Sequence, residues 1–280
     1  CYFILTGQKN PYELDDVECY RVTKYDKNWK RLASDGLYDC DTQYPFYGGC
    51  ARFVGHDDQL YIRTAHTMYK DTIDYINHQS NHGLKLDITE MKLKQGYTDF
   101  DRIYDYGYVS HSFNQFILMD GDTLVTVDHG DGYPRSVVLQ CNPSNTDDWL
   151  HVLEIPGEVG ANATGTKVGG FEITDKNYMI AYSAENLADG TVDETTQNIY
   201  VAVMDKETNE VTHRKITDYE DGTVSAYTPH FVRLSDDRFM LLWVRENNVF
   251  YTCIDSDGNA GEIFSIEKAL LSDCAPIVQN

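Results

Sequence analysis

Pro229-His230-Phe231-Val232-Arg233-Leu234, Ser235-Asp236-Asp237 and Phe239-Met240-Leu241-Leu242-Trp243-Val244 read in succession as an apolar strand, a tight acidic turn and a second apolar strand. The same phrase occurs three more times. Its turns are His56-Asp57-Asp58-Gln59, Asp120-Gly121-Asp122 and Asp175-Lys176-Asn177, and the four turns follow one another at intervals of 64, 55 and 60 residues. The runs before those turns are residues 49–54, 112–117 and 169–173, and the runs after them are residues 60–63, 124–127 and 178–182. A period of this size marks a fold built from repeated units.

The outer half of the unit repeats as well. Residues 19–25 lead through Asp26-Lys27-Asn28 into residues 29–32, residues 199–204 turn through 205–209, and residues 249–254 turn through Asp255-Ser256-Asp257-Gly258-Asn259. Four antiparallel strands per unit, repeated around a ring, is the sequence form of a β-propeller. The expected blades are 1–38 completed by 273–280, then 46–100, 107–155, 166–219 and 226–269. Five blades are visible, and six are open if the parent chain is longer. Residues 84–94 are the best helical candidate, but Leu84, Leu86 and Ile88 alternate as in a strand. A β-sandwich with irregular hairpins is the competing architecture.

Composition agrees with an all-β chain. The 280 residues include 21 Tyr and 11 Phe but only 7 Pro, and 41% of the residues are apolar, enough for a core. With 23 Lys+Arg against 45 Asp+Glu the formal charge is −22, which repels a phosphate backbone and argues against nucleic acid as a partner. No run approaches the roughly 18–20 apolar residues that a membrane helix needs. The first residue is Cys1 and no signal peptide is recognisable, so we expect both ends to have been cut from a longer or processed protein.

Several stretches carry a family likeness: Leu60-Tyr61-Ile62-Arg63-Thr64-Ala65-His66-Thr67-Met68-Tyr69, Asn77-His78-Gln79, residues 107–116, and Asp128-His129-Gly130-Asp131-Gly132-Tyr133-Pro134-Arg135-Ser136. With Tyr25-Asp26-Lys27-Asn28-Trp29 and residues 271–278, they resemble a family of uncharacterised secreted bacterial β-propeller proteins over nearly the whole chain. The resemblance implies a propeller fold and a secreted or cell-surface location. It also implies further strands after residue 278, and therefore six blades in the parent. It implies no activity.

The densest polar chemistry lies between residues 63 and 136, where Arg63, His66, His78, His111, Asp128, His129, Asp131, Tyr133 and Arg135 are the candidate ligand-binding and site residues. His129 or His111 could act as a base with Asp128 beside it, and Arg63 or Arg135 could hold a carboxylate through its planar fork. That set suits a polysaccharide lyase or hydrolase acting on acidic sugars. The same residues also suit a buried network that fixes loop-rich blades, which ranks first, with ligand binding second and catalysis third. Glu172 and Asp128 imitate two of the three carboxylates of a five-bladed glycosidase, without a convincing third. Tyr44, Tyr47, Tyr104, Tyr106, Tyr108, Tyr133 and Tyr227 provide aromatic faces on which sugars stack, set against ordinary packing at the core edge.

Among seven cysteines without a C-x-x-C pair, Cys40 and Cys50 flank one inter-blade connection and form a candidate disulfide. Asp255, Asp257 and Asn259 are a weak calcium candidate, since the turn lacks the Gly and the bidentate Glu of an EF-hand. No cofactor other than possible calcium is expected. Asn162-Ala163-Thr164 is a glycosylation triplet by pattern. Taken together, the residues favour a secreted or cell-surface binding or adhesion module, with a glycan or a surface protein as partner and self-assembly open. The alternatives are the acidic-sugar enzyme and a structural unit of a surface assembly. Catalysis is ranked below non-enzymatic binding.

Overall fold

The turn that joins β18 (Arg238–Arg245) to β19 (Asn248–Asp255) shows how local chemistry sets the architecture. Glu246 and Asn247 both have positive φ, 52° and 61°, the backbone of a two-residue hairpin whose twist matches that of the flanking strands. Trp243 therefore pairs with Phe250 and Leu241 with Thr252. On the other side β18 pairs with β17 (Tyr227–Ser235) and β19 pairs with β20 (Phe264–Ile266), giving a four-stranded antiparallel sheet in sequence order. The computed structural model describes residues 1–47, 50–97, 114–132, 134–143, 149–185, 196–220 and 222–272.

The other sheets repeat this plan. β13 (Thr166–Ile173), β14 (Asn177–Ala184), β15 (Asn198–Asp205) and β16 (Val211–Lys215) lie in sequence order. β9 (Asn114–Asp120), β10 (Thr123–Gly130), β11 (Ser136–Cys141) and β12 (Leu150–Glu154) form another four-stranded sheet. In the sheet before it, β6 (Gln59–Lys70), β7 (Asn77–Asp87) and β8 (Lys92–Gln95) follow one another. There β4 (Thr42–Pro45) and β5 (Arg52–His56) share the first position, each pairing with a different half of β6. The first sheet holds three strands, β1 (Tyr2–Gly7), β2 (Tyr20–Tyr25) and β3 (Arg31–Leu37). The strand expected to complete it, residues 273–280, lies outside the described residues. No helix occurs among the described residues, and the fold is an all-β propeller of four-stranded antiparallel blades.

The acidic turns have a common cause. Asp26, Asp87, Asp205 and Asp255 each accept backbone N–H bonds from residues two to four positions on, at 2.8–3.0 Å, and so close the outer hairpin of four different sheets. Residues 84–94 follow the same rule: the alternation is a strand that ends at Asp87, turns, and resumes as β8.

The chain divides into two compact units, residues 1–134 with 140–149, and residues 135–139 with 150–280. The first unit has a core of Cys19, Tyr20, Val22, Cys40, Leu60, Ile62, Leu84, Leu86 and Leu93. The second buries Trp243, Phe239, Leu241, Met179, Ile199 and Val201.

One covalent expectation is corrected here. Cys50 is disulfide-bonded, but Cys40 is a free, fully buried thiol, so the Cys40–Cys50 bridge does not form. Cys40 is turned into the core beside Cys19, and the extended strand β4 follows it directly. Thr42, two residues after Cys40, pairs with Met68 of β6, and Arg52, two residues after Cys50, pairs with Arg63, so the two segments are offset by five residues or roughly 16 Å along β6, more than a disulfide spans.

Candidate functional site

β6 is the strand on which the site is built. Every residue from Ile62 to Met68 is buried, so both faces of the strand are covered, yet the run includes Arg63, Thr64, His66 and Thr67. Burying such groups is costly unless they find partners. The neighbouring strands supply them. In β7, Ser80, Asn81 and His82 stand opposite His66, Ala65 and Thr64. In β10, Asp128 stands opposite Gln115 of β9.

Arg63 meets Asp128 through both arms of its fork, Nε donating to Oδ1 at 3.0 Å and the terminal amino group donating to Oδ2. The two side chains are 5% and 1% exposed. Burial alone would make the guanidinium easier to deprotonate, but the charge and bonds of Asp128 outweigh it and hold Arg63 firmly protonated.

His66 is held at both ring nitrogens. Thr42 Oγ1, 2.9 Å from the Cys40 carbonyl, donates there and so accepts from Nδ1–H of His66 at 2.7 Å. Nε2 is then the acceptor for the Ser80 hydroxyl at 2.9 Å. Burial with no charged partner pushes His66 down to about 3, so the ring is neutral. His82 stacks on it with centroids 4.1 Å apart, and its Nδ1 lies 3.2 Å from the Tyr20 hydroxyl. Burial, followed by the nearby His66 and Arg63, lowers His82 well below the usual histidine range.

Around these pairs lies a set of fully buried polar atoms without hydrogen-bond partners: Thr64 Oγ1, His82 Nε2, Gln115 Oε1 and Thr126 Oγ1. They come from β6, β7, β9 and β10. Gln115 also donates through Nε2 to Asn81 Oδ1 at 2.9 Å, which ties β9 to β7. Unsatisfied buried groups are rare in native proteins, and several on adjoining strands call for a water, ion or ligand as partner.

Of the residues singled out in the sequence, Arg63, His66, Asp128 and His129 fall on the buried stretches of β6 and β10, and Asp131 is buried one residue past β10. His78 stands apart, paired with Asp74 at 2.7 Å near the β6–β7 connection. Arg135 belongs to the other unit, where its guanidinium donates to the carbonyls of Pro156, Ala161 and Ala163. Glu172 is engaged by Arg233. Both oxygens of Asp255 accept bonds from within their own turn, Oδ1 from the Asp257 and Asn259 amides and Oδ2 from Asn259 Nδ2. No group of three or more His, Cys, Asp or Glu able to hold a metal is found among the described residues. His111 and Tyr133 lie outside the described residues. His82, Ser80, Asn81 and Gln115 were not among the candidates. The signal that could have found them is the polar run Ser80-Asn81-His82 inside a strand that continues into Leu84 and Leu86.

No family model and no curated protein matches the chain. Solved structures do match in fold. They include a xylan beta-1,4-xylosidase from Bacillus halodurans, at 12% identity over 92% of this chain and 52% of that one, TM-score 0.45. An alpha-L-arabinofuranosidase from Fusarium graminearum matches at 13% identity over 78% of this chain and 66% of that one, TM-score 0.49. An endo-arabinase from Bacteroides thetaiotaomicron matches at 12% over 82% and 84%, TM-score 0.44. The chain spans about half the length of the first structures it matches. At these identities the likeness is one of fold. Each of the three is by name a glycan-cleaving enzyme, so the ranking of a non-enzymatic binding or adhesion module above catalysis is corrected.

Proposed function

We propose that the chain is a glycan-cleaving hydrolase and that the polar cluster on β6, β7, β9 and β10 holds the sugar. One observation carries this reading: Thr64, His82, Gln115 and Thr126 leave hydroxyl, imidazole and amide atoms buried and unpartnered. That mixture of donors and acceptors is what sugar hydroxyls satisfy. Arg63 and Arg135 are both engaged within the fold, which removes the grip on a uronate carboxylate and favours recognition through hydroxyls. Burial pushes the Asp128 carboxyl up against the opposing pull of Arg63, and both of its oxygens are taken by that guanidinium, so in this reading Asp128 holds β10 to β6 rather than meeting the sugar. Asp131, buried just past β10, is the carboxylate of this stretch that the reading assigns to the reaction. We place the protein outside the cell, a reading supported by the disulfide at Cys50.

The test is release of reducing ends from arabinan, xylan and polygalacturonate by the intact chain, beside Thr126→Val and His82→Phe. Thr126→Val removes only an unpartnered oxygen, His82→Phe removes the unpartnered Nε2 together with the Nδ1 that faces the Tyr20 hydroxyl, and neither breaks the Arg63–Asp128 pair. We expect turnover on one neutral polymer, reduced at least tenfold in both variants while thermal stability is retained. No turnover on any of the three, or turnover unchanged in both variants, would overturn the proposal.

A further inference from the structure

The first unit contains two cysteines that the polar cluster does not use. Cys19 immediately precedes β2 and Cys40 follows β3, so they stand at the open end of one β-hairpin, 21 residues apart in sequence. Both are fully buried in the same core, with Tyr20, Val22, Leu60 and Ile62. The two thiols are near enough for each to shift the other's titration, Cys19 downward and Cys40 upward. The backbone fixes this approach. The Cys19 amide donates to the Leu37 carbonyl at 3.0 Å, the first rung beyond the Tyr20↔Leu37 pair, and Cys19 Sγ lies 3.2 Å from the Thr42 carbonyl. Two thiols held side chain to side chain, sealed from solvent, in a chain whose Cys50 already carries a disulfide, are placed for oxidation.

We propose that Cys19 and Cys40 form a second disulfide, made during folding before the core closes over them. The oxidant is the disulfide of a thiol–disulfide oxidoreductase. The Cys19 thiolate attacks it and forms a mixed disulfide, and the Cys40 thiolate then displaces the catalyst thiolate. Two S–H bonds are lost, one S–S bond is formed, and two electrons and two protons leave with the reduced catalyst. The bond closes the β2–β3 hairpin at its base. It also braces Thr42, whose hydroxyl bonds to the Cys40 carbonyl and to His66, and so connects the cross-link to the polar cluster. The proposal does not depend on the glycan reading.

To test it, the full chain is folded in a glutathione buffer that oxidises Cys50, then denatured in N-ethylmaleimide without reductant and digested with trypsin and chymotrypsin. Cleavage after Tyr44, Phe46 or Tyr47 separates Cys40 from Cys50. The expected product is one unlabelled species containing the Cys19 and Cys40 peptides, which separates on reduction. It should be absent from Cys19→Ser, where Cys40 becomes labelled and the melting temperature falls by roughly 5–10 °C. N-ethylmaleimide or glutathione on both Cys19 and Cys40 in the wild-type chain would overturn the proposal. So would a Cys40 cross-link that survives Cys19→Ser.

Discussion

Arg63 and Asp128 lie 65 residues apart in the chain and form a two-pronged ion pair that is almost wholly buried and joins β6 to β10. The pair explains why a strand covered on both faces can carry an arginine: each charge is the other's main replacement for lost water. The same fact restricts the chemistry, because a guanidinium engaged in this way is not available to a substrate carboxylate.

Removing one member should therefore cost more than removing both. Arg63→Met or Asp128→Asn is expected to lower the unfolding free energy by about 3–5 kcal/mol. The double change Arg63→Met with Asp128→Leu should restore at least half of that loss. Guanidinium denaturation of the three variants checks this. Single variants as stable as the parent would mean that water reaches the pair.

The two stacked histidines give stability a defined pH dependence. Unfolded, each takes up a proton near pH 6.5; folded, His66 does so only near about 3, and His82 is lowered in the same sense. The stabilisation from the neutral rings is complete above pH 6.5 and is lost as the pH falls below it, by about 1.4 kcal/mol per pH unit for each histidine. Urea midpoints at pH 7.5, 6 and 5 should fall accordingly, and His82→Phe should remove about half of the slope. An unchanged slope in that variant would show that other groups set the acid limit.

The unpartnered hydroxyls make a prediction opposite in sign to that for most core changes. Thr126→Val and Thr64→Val keep side-chain shape but remove a buried oxygen that bonds to nothing in the protein. Each should raise the melting temperature of the free protein, by about 1 kcal/mol in unfolding free energy. A loss of similar size would instead reveal a tightly held water at that oxygen.

Close approach of two backbones accounts for Gly169. A Cβ placed there would lie 2.0 Å from the Pro229 carbonyl oxygen, and backbone cannot move aside as a flexible side chain can. Gly169→Ala should force β13 away from β17 and destabilise the second unit by about 1–3 kcal/mol. Gly55→Ala is the control, since the nearest atom to its Cβ is 4.0 Å away. Equal stability of the two variants by thermal denaturation would refute the argument.

The chain by itself determined the repeat. Alternating apolar residues and aspartates at the outer hairpins act over two to four residues, and short-range effects of that kind can be read from order alone. They were enough for an all-β propeller and for the strand reading of residues 84–94. They also placed Arg63, His66, Asp128 and His129 in one polar region. Tertiary structure decided the rest, because burial and partnership depend on which distant strands meet. That Arg63 faces Asp128, that His82 stacks on His66, and that Gln115 reaches Asn81 follow from pairings 65, 16 and 34 residues apart. The local pattern around each residue is silent about such pairings. The cysteines show the same division: the short sequence spacing pointed to Cys40 with Cys50, whereas the path of β4 set Cys40 beside Cys19.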